Sequence, residues 1–69
     1  MSKEKLQKLK GLIREKEKTY EQCAKAIGLS TQGFQNKVSG KTQFTIEQLD
    51  KLGDFLGMTQ AEKGILFLS

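Results

Sequence analysis

Between Gln22 and Ile46 the chain carries Lys25, Lys37 and Lys41 and no acidic residue. The same stretch is crowded with hydroxyl and amide side chains: Ser30, Thr31, Gln32, Gln35, Asn36, Ser39, Thr42, Gln43 and Thr45. An amide offers a donor and an acceptor side by side, which suits a base edge, and lysine ammoniums suit phosphates. Carboxylates would repel such a polyanion, so their absence fits that chemistry. A solvated polar face that happens to lack acids reads the same way, and composition alone does not separate the two.

Other chemistries are poorly provided for. The chain has no His, hence no Ser-His or Cys-His pair and no imidazole metal ligand. Cys23 is its single cysteine, so no intrachain disulfide or Cys-rich zinc site can form, which fits a reducing compartment. On the inward face of a helix, with no base to activate it, Cys23 reads as a buried, inert thiol. Asp50 and Asp54 stand four apart on a predicted helix, but beside Lys51 they read as a solvated face. The seven glycines are scattered and form no phosphate-cradling loop. No enzyme activity, cofactor or metal is expected.

The residues of the acid-free stretch must be positioned by short helices. Leu6, Leu9, Leu12 and Ile13 predict a first helix from about Lys3 to Lys16, and Gly11 within it predicts close approach of a neighbouring helix. Thr19-Tyr-Glu-Gln22 is a capping box that opens a second helix at Tyr20. That helix presents Cys23, Ala24 and Ile27 on one face and ends at Gly28, which suits the left-handed conformation of a helix terminus. Ser30 caps a third helix from Thr31 to about Val38, with Leu29 and Phe34 as a hydrophobic staple. Thr45-Ile-Glu-Gln48 is a second capping box, with Phe44 and Leu49 as its staple. Ile46, Leu49, Leu52, Phe55 and Leu56 give this fourth helix its apolar stripe, and Gly57 ends it. Thr59-Gln-Ala-Glu62 is a third box, opening a short last helix over 59–69. No stretch alternates as a strand does. The expectation is a compact all-α, five-helix fold.

Length and charge narrow the class further. A chain of 69 residues forms one domain, 1–69, with a radius of gyration of about 11 Å and no room for a deep walled cavity. No apolar run approaches the roughly 20 residues of a membrane span, and the charged start does not resemble a signal segment. A membrane-surface role for Lys3 to Lys18 is disfavoured by a narrow apolar stripe without interfacial Trp or Phe. The net charge of +4 hides a polarity. Residues 1–20 carry Lys3, Lys5, Lys8, Lys10, Arg14, Lys16 and Lys18 against Glu4, Glu15 and Glu17. From Glu47 onward the balance reverses, with Glu47, Asp50, Asp54 and Glu62 against Lys51 and Lys63. These features describe a small, soluble, cytoplasmic, basic binding domain.

The segment about 19–40 joins two short helices through a tight Gly28-Leu29-Ser30 turn, a length that fits a helix-turn-helix. Tyr20-Glu-Gln-Cys-Ala-Lys-Ala-Ile-Gly-Leu-Ser-Thr-Gln-Gly-Phe-Gln-Asn-Lys-Val-Ser-Gly-Lys41 resembles the helix-turn-helix of the phage repressor and Cro family. Phe44-Thr45-Ile46-Glu47-Gln48-Leu49 is similar to the helix that follows it in small phage-type members, and the likeness covers about residues 6–60. Many members have an apolar residue where this chain has Lys37. Here Val38, one position later, supplies it, a shift that some Cro-like members share and that leaves the rotation of the third helix open.

The resemblance implies a lambda-repressor-like domain that regulates transcription by occupying an operator in double-stranded DNA, at the nucleoid of a bacterial or phage-infected cell. The third helix would enter the major groove while the second crosses the backbone. Thr31, Gln32, Gln35 and Asn36 would then meet base edges, and Thr19, Tyr20, Ser30, Lys37, Ser39 and Lys41 would meet phosphates. Cys23, Ala24, Ile27, Gly28, Leu29, Phe34 and Val38 would pack the motif. One motif contacts few base pairs, so a homodimer on half-sites about one DNA turn apart is expected. Ile65, Leu66, Phe67 and Leu68 are the candidate interface, since four consecutive apolar residues cannot all face one core; alternatively two or three close the core and one is exposed. The competing reading is a modulator or antirepressor that binds another regulator. Arg is the commonest reader of guanine, and the chain's one Arg, Arg14, lies outside the third helix.

Overall fold

The first backbone N–H groups of a helix have no carbonyl within it to bond, so something else must satisfy them. Here Ser2, Thr19, Ser30, Thr45 and Thr59 each accept a hydrogen bond from the N–H three residues on, and each starts a helix. The computed structural model describes residues 1–68, Leu68 through its backbone alone. It contains α1 (Lys3–Glu15), α2 (Tyr20–Ala26), α3 (Thr31–Val38), α4 (Ile46–Phe55) and α5 (Gln60–Lys63), and a π-helical turn over Gly64–Leu68 continues α5. Among the described residues there is no strand. All three expected capping boxes are formed, with Gln22, Gln48 and Glu62 reaching back to the N–H of Thr19, Thr45 and Thr59.

The four longer helices close alike. In each, an N–H two residues past the C-cap bonds a carbonyl five residues back: Lys18 to Ile13, Leu29 to Ala24, Lys41 to Asn36 and Met58 to Gly53. This turn needs one residue in the left-handed region. Gly28 takes it at φ 77° with no Cβ to clash, which allows the abrupt reversal from α2 to α3. After α1 the position is held by Glu17 at φ 57°, the sole positive-φ residue other than glycine among the described residues.

Packing follows the apolar spacing. Leu9, Ile13, Cys23, Ala24, Ile27, Phe34, Val38, Leu52 and Leu56 form one buried cluster. Phe34 is fully buried, its ring 5.4 Å from that of Tyr20 and 5.8 Å from that of Phe44. Replacing it by Ala would open a cavity costing about 3–5 kcal/mol. α2 sits against both α3 and α4, while α1 packs on α3 and on the C-terminal turn. The radius of gyration is 10.6 Å.

Some local expectations change. α1 stops at Glu15 with Lys16 as its cap, one residue early. A Cβ built on Gly11 meets nothing within 4 Å, so no helix approaches there. Ile46 is 73% exposed because it opens α4 before that helix reaches the core, and the buried stripe begins at Leu49. Leu66 and Phe67 are half-buried against the core while Ile65 is 73% exposed. The side chain of Leu68, the fourth residue of the expected interface, lies outside the described residues.

Candidate nucleic-acid interface

The rotation of α3 follows from its two buried residues. Phe34 and Val38 stand four apart and face the core, so Lys37 is left at the edge of the interface, half-buried. At about 100° per residue the opposite side carries Gln32 and Asn36, flanked by Gln35 and Ser39. Thr31, Gln32, Gln35 and Ser39 are exposed and Asn36 is half-buried. Gln32, Gln35 and Asn36 thus lie on the solvent side of one helix, and Thr31, nearer the core side by rotation, is exposed as the helix's first residue, with no carboxylate on that helix.

Gln32 and Asn36 are also joined. Gln32 Nε2 donates to Asn36 Oδ1 at 3.2 Å. The bond restricts the rotamers of both amides and leaves Gln32 Oε1 as an acceptor and Asn36 Nδ2 as a donor not used by it. That is the pairing adenine's N6 and N7 require. Asn36 is further tied to the turn after α3, where its carbonyl accepts from the N–H groups of Lys41 (2.9 Å) and Thr42 (3.2 Å).

The expected phosphate contacts divide into two groups. Thr19 and Ser30 are exposed N-caps at the starts of α2 and α3, with Oγ accepting from the N–H of Gln22 and of Gly33, so each hydroxyl proton remains available to donate. Tyr20 packs its ring on Phe34 and is half-buried, and Lys41 is exposed. Lys37 and Ser39 are engaged within the chain. Lys37 Nζ donates to the Gln43 carbonyl at 2.7 Å, and Ser39 Oγ donates to the Asn36 carbonyl at 3.1 Å. Lys37 thereby braces the loop from α3 to α4, Ser39 closes on the last turn of α3, and the terminal ammonium of Met1 adds a bond to Gln43 Oε1 at 3.1 Å.

The residues expected to pack the motif do so. Cys23, Ala24, Ile27, Phe34 and Val38 are buried, Leu29 is half-buried against the same cluster, and Gly28 makes the turn. Burial pushes the Cys23 thiol above its ordinary pKa, an effect partly offset by the positive charge of Lys18. Among the described residues no three His, Cys, Asp or Glu side chains gather as a metal site. Among the described residues no helix is long and apolar enough to cross a membrane.

One cluster departs from the sequence reading. Lys63 is 5% exposed, and its Nζ donates to Asp50 Oδ1 at 2.8 Å and to Asp54 Oδ1 at 2.5 Å. Asp50 and Asp54 are therefore more than a solvated face: together they hold the end of α5 onto α4. Gly53 makes room for this, since a Cβ there would come within 2.9 Å of the lysine stem. The one sequence cue was a glycine inside an otherwise well-formed helix between two aspartates.

Compared with family models, with curated proteins and with solved structures, the chain matches none.

Proposed function

We propose that this chain is a sequence-specific DNA-binding transcriptional regulator of the phage repressor and Cro type. In this reading α2 and α3 form the helix-turn-helix, to which their short Gly28-Leu29-Ser30 connection is suited. α3 lies in the operator major groove and reads bases through Thr31, Gln32, Gln35 and Asn36. The observation that carries the reading is the exposed, acid-free amide face of α3, held in one rotation by Phe34 and Val38. Thr19, Tyr20, Ser30 and Lys41 flank that face with hydroxyls and charge for the backbone. Lys37 would join them by giving up its bond to the Gln43 carbonyl, and Ser39 by giving up its bond to the Asn36 carbonyl. Two copies on adjacent half-sites supply the specificity that one short helix lacks.

The test is selection of binding sites from random duplex DNA, followed by affinity measured against salt. The expected outcome is an enriched half-site and a log affinity that falls linearly with log salt. Gln32→Ala and Asn36→Ala should each cost about 1–3 kcal/mol at particular base pairs while leaving binding to scrambled DNA unchanged. Random DNA that yields no enriched sequence, or variants that discriminate as the wild type does, would remove α3 as a reading head.

A second reading rests on a different surface. Ile65 is exposed beside Leu12, Met58 and Leu66 along an open groove between α1 and the C-terminal turn. Such a face suits a partner regulator or a second copy. Ile65→Ser that abolishes association with another regulator, in a protein that binds no DNA at low salt, would favour the modulator reading.

A further inference from the structure

α1 and the start of α2 enclose a second feature. Lys10, Arg14 and Lys18, with Ile13, Thr19 and Tyr20, line an open cleft of about 300 Å³. Its lining holds three cations, two hydroxyls and no acid. None of the three cations is in an ion pair among the described residues. Lys10 and Arg14 stand at i and i+4 on α1, where like charges repel and disfavour the helix unless an anion sits between them. The third cation is placed by the turn after α1. Glu17, in its left-handed conformation, redirects the chain so that Lys18 swings back beside the helix it has just left, with its ammonium 5.1 Å from the centre of the Phe55 ring. Tyr20 forms one wall and also packs on Phe34 of α3, so this ring contact joins the packing of α1 and α2 on α3 in fixing the cleft relative to the amide face.

We propose that this cleft binds a phosphodiester of the DNA backbone, flanking the bases that α3 reads. The proposal rests on the DNA-binding reading and extends it to three side chains of α1 and its turn. Lys10, Arg14 and Lys18 supply the charge, while the hydroxyls of Thr19 and Tyr20 donate to the non-bridging oxygens. The contact carries no sequence information. It sets where α2 crosses the backbone and hence how α3 enters the groove.

The test compares Lys10→Gln and Arg14→Gln with the wild type on a selected duplex and on a scrambled duplex of equal length. Combined in one variant, the two substitutions should weaken both duplexes equally, by up to roughly eightfold at 0.1 M salt, from a salt slope near 0.9 for the one phosphate of the cleft. They should reduce the magnitude of that slope by up to about one, each single change giving part of the effect. Lys8→Gln, which removes the same charge from an exposed position of α1 outside the cleft, should leave the slope unchanged. Slopes and affinities in Lys10→Gln and Arg14→Gln that match those of Lys8→Gln would overturn the cleft. A wild type that binds both duplexes equally would remove the base-reading role of α3, yet the same variants would still decide the cleft. Inorganic phosphate, titrated at constant ionic strength, distinguishes a free anion from DNA. If it saturates the Thr19 and Tyr20 amide resonances while duplex leaves them unmoved, the cleft serves a small phosphate and the proposal falls.

Discussion

Glu17 sits in a backbone conformation that costs an L-residue about 1–2 kcal/mol, part of which a glycine would regain after its own entropy cost. Glu17→Gly should therefore raise stability by about 0.5–1 kcal/mol, read as a higher urea midpoint with an unchanged slope. A lower midpoint would mean that the glutamate side chain contributes more than the strain removes. The comparison also shows what sequence reasoning reaches at this scale. Gly28 and Gly57 announced their turns by residue type, whereas Glu17 occupies the same kind of position without any such mark. The amides Gln32 and Asn36 were legible as a pair of suitable types at helical spacing. Lys37 was not legible, because its partner is a backbone carbonyl six residues on, in a loop whose path depends on the whole fold.

At the level of elements, the helix starts were the most readable part, because a capping box is closed by residues three apart and needs no tertiary context. Which faces those helices press together depends on fit. Ala24 is 1% exposed in the α2 helix that packs on α3 and α4. Ala24→Leu should overpack this layer and destabilise by about 1–3 kcal/mol, and thermal unfolding equal to wild type would refute the packing described. α5 shows the opposite case, since its anchoring could not be read locally. Lys63 reaches partners nine and thirteen residues earlier, and nothing in a four-residue helix forecasts them. This element also gives a dependence on pH with two limbs. The Thr59 N–H and then its hydroxyl hold the Glu62 carboxyl below its ordinary 4.5. That contribution is present above 4.5 and is lost as pH falls through the lowered value. Hydrogen bonds to Asp50 and then Asp54 raise the Lys63 ammonium above 10.5, so its contribution is intact below 10.5 and is lost as pH rises through the raised value. Melting temperatures should fall at both extremes, and Lys63→Met should flatten the alkaline limb alone. An alkaline limb that survives in this variant would assign it to another group.

For the molecule as a whole, one small core carries elements of opposite character, cationic and amide-rich from α1 to α3 and acid-rich from α4 onward. The division could be traced along the chain as a drift in charge. Its arrangement in space could not, because only the fold brings Tyr20 against Phe34 and so joins α1's cations to α3's amides. The same core makes Cys23, the chain's lone thiol at 0% exposure, a clock for opening. An alkylating reagent reaches that sulfur only when the helices part, so the labelling rate counts openings in the unmodified protein. A duplex that binds the closed form alone would stretch the interval between them. At a concentration a hundred times its Kd, labelling should slow about a hundredfold, and an unchanged rate would mean that the duplex does not distinguish the closed molecule from the open one.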